Sequence, residues 1–176
     1  SLVGSEMCIR DRDYTIKKGK SVIVLIPEIA LTYQTVMRFT RRFKEKVSII
    51  NSRLSSGERY DQFERAKNGD VTIMIGPRSA LFTPFSNLGL IVIDEEHESA
   101  YKSESVPKYH AIEVAQKRAY DTGATVVLGS ATPSLESYYK AKNGTYILHK
   151  LTTREKGNLP SVSIVDLREE LQQGNK

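Results

Sequence analysis

The chain has 176 residues, 39% hydrophobic and 27% charged, which is ordinary for a soluble globular protein and enough for one domain with a real core. No apolar run approaches the length of a membrane span, so no membrane partner is expected; the lone cysteine, Cys8, excludes an internal disulfide and a thiolate-rich zinc site and fits a cytoplasmic protein. A net charge of +5 is compatible with a polyanionic partner without establishing one.

Residues 1–12 show no helical or strand period and no apolar signal-peptide core. The string SLVGSEMCIRD resembles a translated sequencing-adapter remnant, so 1–12 is set aside as a non-native or disordered leader. Residues 13–20 read as the end of a helix, stopped at Gly19 among Lys17, Lys18 and Lys20. A first complete strand at 22–26 ends at Pro27, and a helix is predicted from about 28 to 43 on the apolar spacing of Ile29, Tyr33, Val36, Phe39 and Phe43. Its basic far end, with Arg38, Arg41, Arg42, Lys44 and Lys46, reads as solvated surface favoured by the helix dipole. A short strand follows at 47–50. Ser55 and Glu58 then have capping-box spacing for a helix that runs to Lys67 and stops at Asn68-Gly69.

A third strand at 71–75 leads into Gly76-Pro77-Arg78-Ser79. The fourth is Leu90-Ile91-Val92-Ile93, bounded upstream by Asn87 and Gly89, and it stops abruptly at Asp94-Glu95-Glu96-His97. Like charges repel, so consecutive acids at a strand mouth are better explained by a cation than by stability; Mg²⁺ suits such oxygen ligands. After a polar loop, 98–107, a helix is predicted at 108–120, closed by Gly123. The fifth strand, 125–128, leads into Gly129-Ser130-Ala131-Thr132-Pro133-Ser134, where Thr132 can cap the next helix and Pro133 suits its first turn. A sixth strand is predicted at 145–149 and a seventh at 161–165; the polar tail 169–176 is expected to fray. His149 is read as packed or solvated, His110 as structural, and Tyr138 and Tyr139 as packed.

Strand and helix alternate, which predicts a parallel sheet covered by helices on both faces, with 22–26, 71–75, 91–93 and 126–128 central. Four strands then end in four polar sets on one rim, where open α/β sheets bind ligands. IPEIALT, GPRSALF, IVIDEEH and LGSATPS, in that order, resemble the motifs of the first RecA-like lobe of superfamily 2 helicases. SRLSSGER, FTPFSNLGLIVIDEEHESAYK, YHAIEVAQKRA and SVSIVDLREEL bring the chain nearest the primosomal replication-restart helicases, the primosomal protein N′ type.

The resemblance implies an α/β, RecA-like (P-loop NTPase type) mostly parallel sheet with helices on both faces, truncated at its N-terminus. It assigns 13–150 to a partial ATP-binding lobe and 151–176 to a connector towards a second lobe. It implies ATP and Mg²⁺ as cofactors. Asp94 would hold the ion, Glu95 would orient and deprotonate water, Glu96 and His97 would link the phosphate site to the lobe, and Ser130 and Thr132 would sense phosphate. Pro27, Glu28, Thr32, Arg78 and Ser79 would line single-stranded or forked DNA; Tyr101 and Lys102 belong to a loop resembling the family's aromatic-rich loop, which couples DNA to ATP. Other primosome proteins are implied as partners. The family's zinc has no ligands here.

No G-x-x-x-x-G-K-[ST] occurs in the 176 residues, so the chain alone is expected to be inactive. Three positions depart from the family pattern: Tyr33 where proline is common, Asn51 where histidine is common and Pro77 where threonine is common. Pro77 removes a backbone donor beside Arg78. Two alternatives stand beside the helicase: a non-catalytic DNA-binding module, and a metal-dependent hydrolase built on Asp94, Glu95, Glu96 and His97, which lacks a second metal-binding motif.

Overall fold

The structure, a computed structural model, describes residues 6–150; the strand expected at 161–165 and the segment 151–176 lie outside the described residues. Its centre is a five-stranded sheet in the order β2-β3-β1-β4-β5, built from β1 (Ser21–Leu25), β2 (Val47–Ile49), β3 (Ile73–Gly76), β4 (Leu88–Asp94) and β5 (Thr125–Gly129). Every pairing is parallel. The helices are α1 (Glu6–Lys17), α2 (Tyr33–Phe43), α3 (Ser56–Lys67), α4 (Ala111–Thr122) and α5 (Leu135–Lys142).

The strands read as unbroken apolar runs because both their faces are covered. Val22, Val24, Ile73, Ile75, Leu90 and Val92 pack on one face with Phe39 of α2 and Ile16 of α1. Ile23, Leu25, Met74, Ile91 and Ile93 pack on the other with Ala66 of α3 and Ala111 and Ala115 of α4. Fully burying one such aliphatic side chain contributes about 1.5–3 kcal/mol, so β1, β3 and β4 form the stable centre. Residues 126–128, expected to be central, lie on β5, which among the described residues is at one edge of the sheet, and there they are only half-buried.

Several boundaries correct the sequence reading. A helix begins at Glu6, inside the stretch read as having no helical period, and Arg12 is fully buried with its guanidinium 4.7 Å from the Phe39 ring centroid. The helix expected from 28 starts five residues later. Glu28–Ala30 forms a 3-10 turn, and Thr32 then caps α2, its side chain accepting from the Thr35 N–H at 3.3 Å. Ile29 and Tyr33, counted on the apolar face, are therefore 89% and 76% exposed. Ser134, not Thr132, is the N-cap of α5, which leaves Pro133 outside the helix. Residues 145–149 form no strand: the Tyr146 N–H turns back to Lys140 O, and Ile147 and Leu148 are exposed. Tyr138 and Tyr139, expected to pack, are exposed as well. The expected capping box is present, with Ser55 and Glu58 bonding reciprocally, and α3 stops at Asn68-Gly69.

Candidate functional site

A parallel sheet delivers every strand's carboxyl end to the same rim. Across it run Asn51 after β2, Gly76-Pro77-Arg78 after β3, Pro27-Glu28 after β1, Asp94 ending β4 and Ser130 after β5. The exits sit close together. A Cβ on Gly76 would stand 2.6 Å from Ile50 O, so only glycine lets the β2 and β3 exits approach this far. Pro77 fits its place, because it precedes a 3-10 turn in which its carbonyl accepts from the Ala80 N–H.

Asp94 is 1% exposed and pairs in register with Gly129. The chain then turns sharply. Glu95 has φ +48°, a left-handed conformation that costs a side-chain-bearing residue about 1–3 kcal/mol and gathers at functional sites. The Glu96 N–H bonds to Gly129 O at 3.0 Å, and the Glu98 N–H to Glu95 O at 2.9 Å. His97 Nδ1 lies 2.7 Å from Ser130 Oγ and 3.8 Å from the Glu95 carboxylate, while Ser130 Oγ accepts from the Thr132 N–H at 2.9 Å.

Glu96 is 4% exposed and faces α5. One carboxylate oxygen accepts from the Ser134 N–H at 2.7 Å; the other accepts from the hydroxyls of Ser134 at 3.1 Å and Ser137 at 2.9 Å. The structure thus brings Asp94, Glu95, Glu96, His97, Ser130 and Thr132 into one hydrogen-bonded unit spanning two strand exits, with Glu96 as its link to α5. Ser134 and Ser137 were missed by the sequence reading. The available signal was a serine three residues before a second serine, just after Thr132-Pro133.

Tyr101, expected to touch DNA, is 1% exposed and is corrected to a core residue. Its ring packs in the face that includes Ile91 and Ile93, and its hydroxyl donates to Asp94 O at 2.6 Å. Burial, reinforced by Asp94, Glu95 and Glu98, pushes the phenol far above its ordinary pKa, so it stays a neutral donor. Pro27 is buried too and offers no surface. Lys102 is exposed. Arg78 Nη1 donates to Ala100 O at 3.0 Å and Lys102 O at 2.9 Å, so it braces the loop that carries Tyr101. Ser79, beside it, is half-buried.

Glu28 and Thr32 meet elsewhere on the rim, on a groove of about 300 Å³ that Asn51 and Arg53 also line. Glu28 Oε1 accepts from the Ser52 N–H at 2.7 Å, and hydrogen bonding by Ser52, helped by Arg53 and Arg59, holds its carboxyl below the ordinary value. Among the described residues, no group of three or more His, Cys, Asp or Glu is arranged to hold a metal, and no helix is long and apolar enough to cross a membrane.

A parallel sheet covered by helices on both faces, with its polar strand exits gathered on one rim, has the architecture of a RecA-like lobe. Consistent with that fold, the helicase domain of Pyrococcus furiosus Hef superposes with a TM-score of 0.54 at 20% identity, over 81% of this chain and 30% of that one. The chain belongs to the DEAD/DEAH box helicase family, whose profile matches residues 6–141. Among curated proteins it is similar to the replication restart protein PriA of Bacillus subtilis (strain 168), 50% identical over 173 residues, which are 98% of this chain and 22% of that protein. The PriA of Chlamydia pneumoniae is 48% identical over 165 residues, 93% of this chain and 22% of that protein. The PriA of Synechocystis sp. is 49% identical over 166 residues, 90% and 20%. The chain thus spans about a fifth of the length of these relatives.

Proposed function

We propose that this chain serves as the first motor lobe of an ATP-dependent, 3′-to-5′ DNA helicase of replication restart. In this assignment 13–150 are the lobe and 151–176 lead to a second lobe. The observation that carries it is the bonded unit at the β4 and β5 exits, where His97–Ser130 joins the acidic turn to the Ser-x-Thr turn and Glu96–Ser134 joins it to the start of α5.

The donor set fits a nucleotide-borne ion better than a resident one. Two adjacent acids, with no third ligand grouped with them among the described residues, suit Mg²⁺ that keeps most of its waters and arrives with phosphates. Bound Mg²⁺·ATP supplies the transferable phosphoryl group and the charge that activates it. Asp94 would hold the ion from a buried, rigid strand end. Glu95, turned out of the strand by its left-handed backbone, would orient water and accept its proton. Ser130 and Thr132 would register phosphate state and pass it through His97. Glu96 would carry that state to α5.

On the DNA side, Thr32, Ser79, Lys102 and the remaining donors of Arg78 would meet phosphate oxygens, which carry no base code. Single-stranded or forked DNA, other primosome proteins and a cytoplasmic setting belong to this proposal through the PriA likeness. No phosphate loop occurs in the 176 residues, so this chain alone should turn over no ATP. The test is a salt titration of single-stranded DNA binding by the chain, paired with phosphate release in Mg²⁺ and DNA. Weak, sequence-independent binding that falls steeply with salt, and no release, is expected. Absence of binding at low salt, or DNA-stimulated release by the chain alone, would overturn the proposal.

A further inference from the structure

Beside Thr32, the rim groove of about 300 Å³ is lined by side chains that the motor assignment leaves unused. Tyr33 lines it, opens α2 and is 76% exposed, a large ring left facing solvent. Half-buried Leu31 and Val36 supply apolar surface beside it. Asn51 Oδ1 accepts from the Arg53 N–H at 3.0 Å, which leaves its NH₂ as the donor end. Arg53 adds a guanidinium, and the Glu28 carboxylate adds an acceptor. The groove is near the lower size limit for small-ligand sites, about 300 Å³.

An aromatic face, an apolar side and a mixed donor–acceptor edge match a flat ligand with two apolar faces and a polar edge. A phosphate alone would leave the ring and the aliphatic side chains unused and would be repelled by Glu28. We propose that this groove takes one unpaired base of single-stranded DNA, stacked on Tyr33 with its edge towards Asn51 and Glu28 and its phosphate near Arg53. The inference rests on the DNA reading above and deepens it: the rim would grip a base as well as the backbone. Such stacking tolerates every base, because each has a π face.

The experiment measures binding of this chain, at fixed low salt, to an oligothymidylate of about twelve nucleotides and to an abasic strand of equal length. Wild type should prefer the thymidylate by about 5- to 150-fold, the range expected for one stacked base. Tyr33→Ala should remove that preference and leave abasic binding unchanged, and Tyr33→Phe should keep it. Thermal melts of both variants should match wild type, since the ring makes no core contact. Equal wild-type affinity for the two strands, an unchanged Tyr33→Ala variant, or a Tyr33→Ala loss equal on both strands would overturn the base site while the DNA reading stands. Failure to bind either strand would overturn the DNA reading itself, and this inference with it.

Discussion

Glu95 concentrates the residue-scale account. Its φ of +48° puts a Cβ where an L-residue is crowded, and the turn persists because the Glu96 N–H to Gly129 O and Glu98 N–H to Glu95 O bonds define it from both sides. Alanine is ordinarily the more stable choice over glycine; here the order should invert. Glu95→Gly should be more stable than Glu95→Ala by about 1 kcal/mol in urea denaturation, since both lose the carboxylate and only alanine keeps the strained Cβ. Alanine matching or exceeding glycine would show that the turn is relaxed. The acids themselves were legible in sequence, because an apolar run that stops at Asp94-Glu95-Glu96-His97 is a local pattern. Their bonding partners were not. Nothing in the sequence turns Glu96 towards Ser134 and Ser137, or sends Tyr101 from a polar loop into the core to bond Asp94 O. Those placements depend on contacts between segments distant along the chain.

At the scale of elements, α5 is the informative case. Eight residues cannot sustain a helix alone, and none of those in α5 is buried. It is held chiefly at its start, by the Ser134 cap and the Glu96 carboxylate. Glu96→Ala should therefore cost about 1.5–3 kcal/mol locally, the range for hydrogen bonds to a charged group. Amide exchange in Leu135–Lys142 should accelerate while β1 and β4 keep their protection. Unchanged exchange in α5 would refute Glu96 as its anchor.

Glu28 and Glu58 give the elements a pH signature. Both carboxyls sit below the ordinary glutamate value, through hydrogen bonds from Ser52 and Ser55 respectively. A lowered folded-state pKa means that their contribution is present above the unfolded value and fades as pH falls through the folded one. Both groups are solvent-exposed, so the effect should be small. Wild type and Glu58→Gln should differ in melting temperature near neutrality and converge in acid; a gap that widens in acid would reverse the sign. The Ser55–Glu58 capping box was readable because its signal spans three residues. The start of α2 was not, because helical spacing from Ile29 continued across a 3-10 turn, and only the Thr32 cap bond marks the true beginning. The strand expected at 145–149 failed for a related reason: an apolar run does not show where its backbone bonds go, and here the Tyr146 N–H turns back to Lys140 O at the end of α5.

For the whole molecule, strand–helix alternation carried the fold well. Continuous apolar runs predicted strands covered on both faces, and β1, β3 and β4 are such strands. Strand order lay beyond that pattern, since the place of β5 beside β4, at the edge of the sheet among the described residues, follows from pairing alone. The parallel sheet then does the functional work of bringing chemistry from distant motifs to one rim, where hydrogen bonds weld the β4 and β5 exits and Arg78 braces the loop that carries Tyr101. Nη1 of Arg78 is spent on the carbonyls of Ala100 and Lys102, which ties the exit of β3 to the loop that carries Tyr101, whose hydroxyl bonds Asp94 O.

The central claim is that Asp94 and Glu95 are the catalytic end of a motor lobe. The most direct measurement places this chain in the Bacillus subtilis relative in exchange for the 173 residues that match it, and follows phosphate release with Mg²⁺ and single-stranded DNA. The exchanged protein should hydrolyse ATP when DNA is present. Glu95→Gln within it should bind nucleotide with little change and lose a thousandfold or so of turnover, on the order of a missing transition-state group. A Glu95→Gln variant that turns over as fast as its parent would contradict the account.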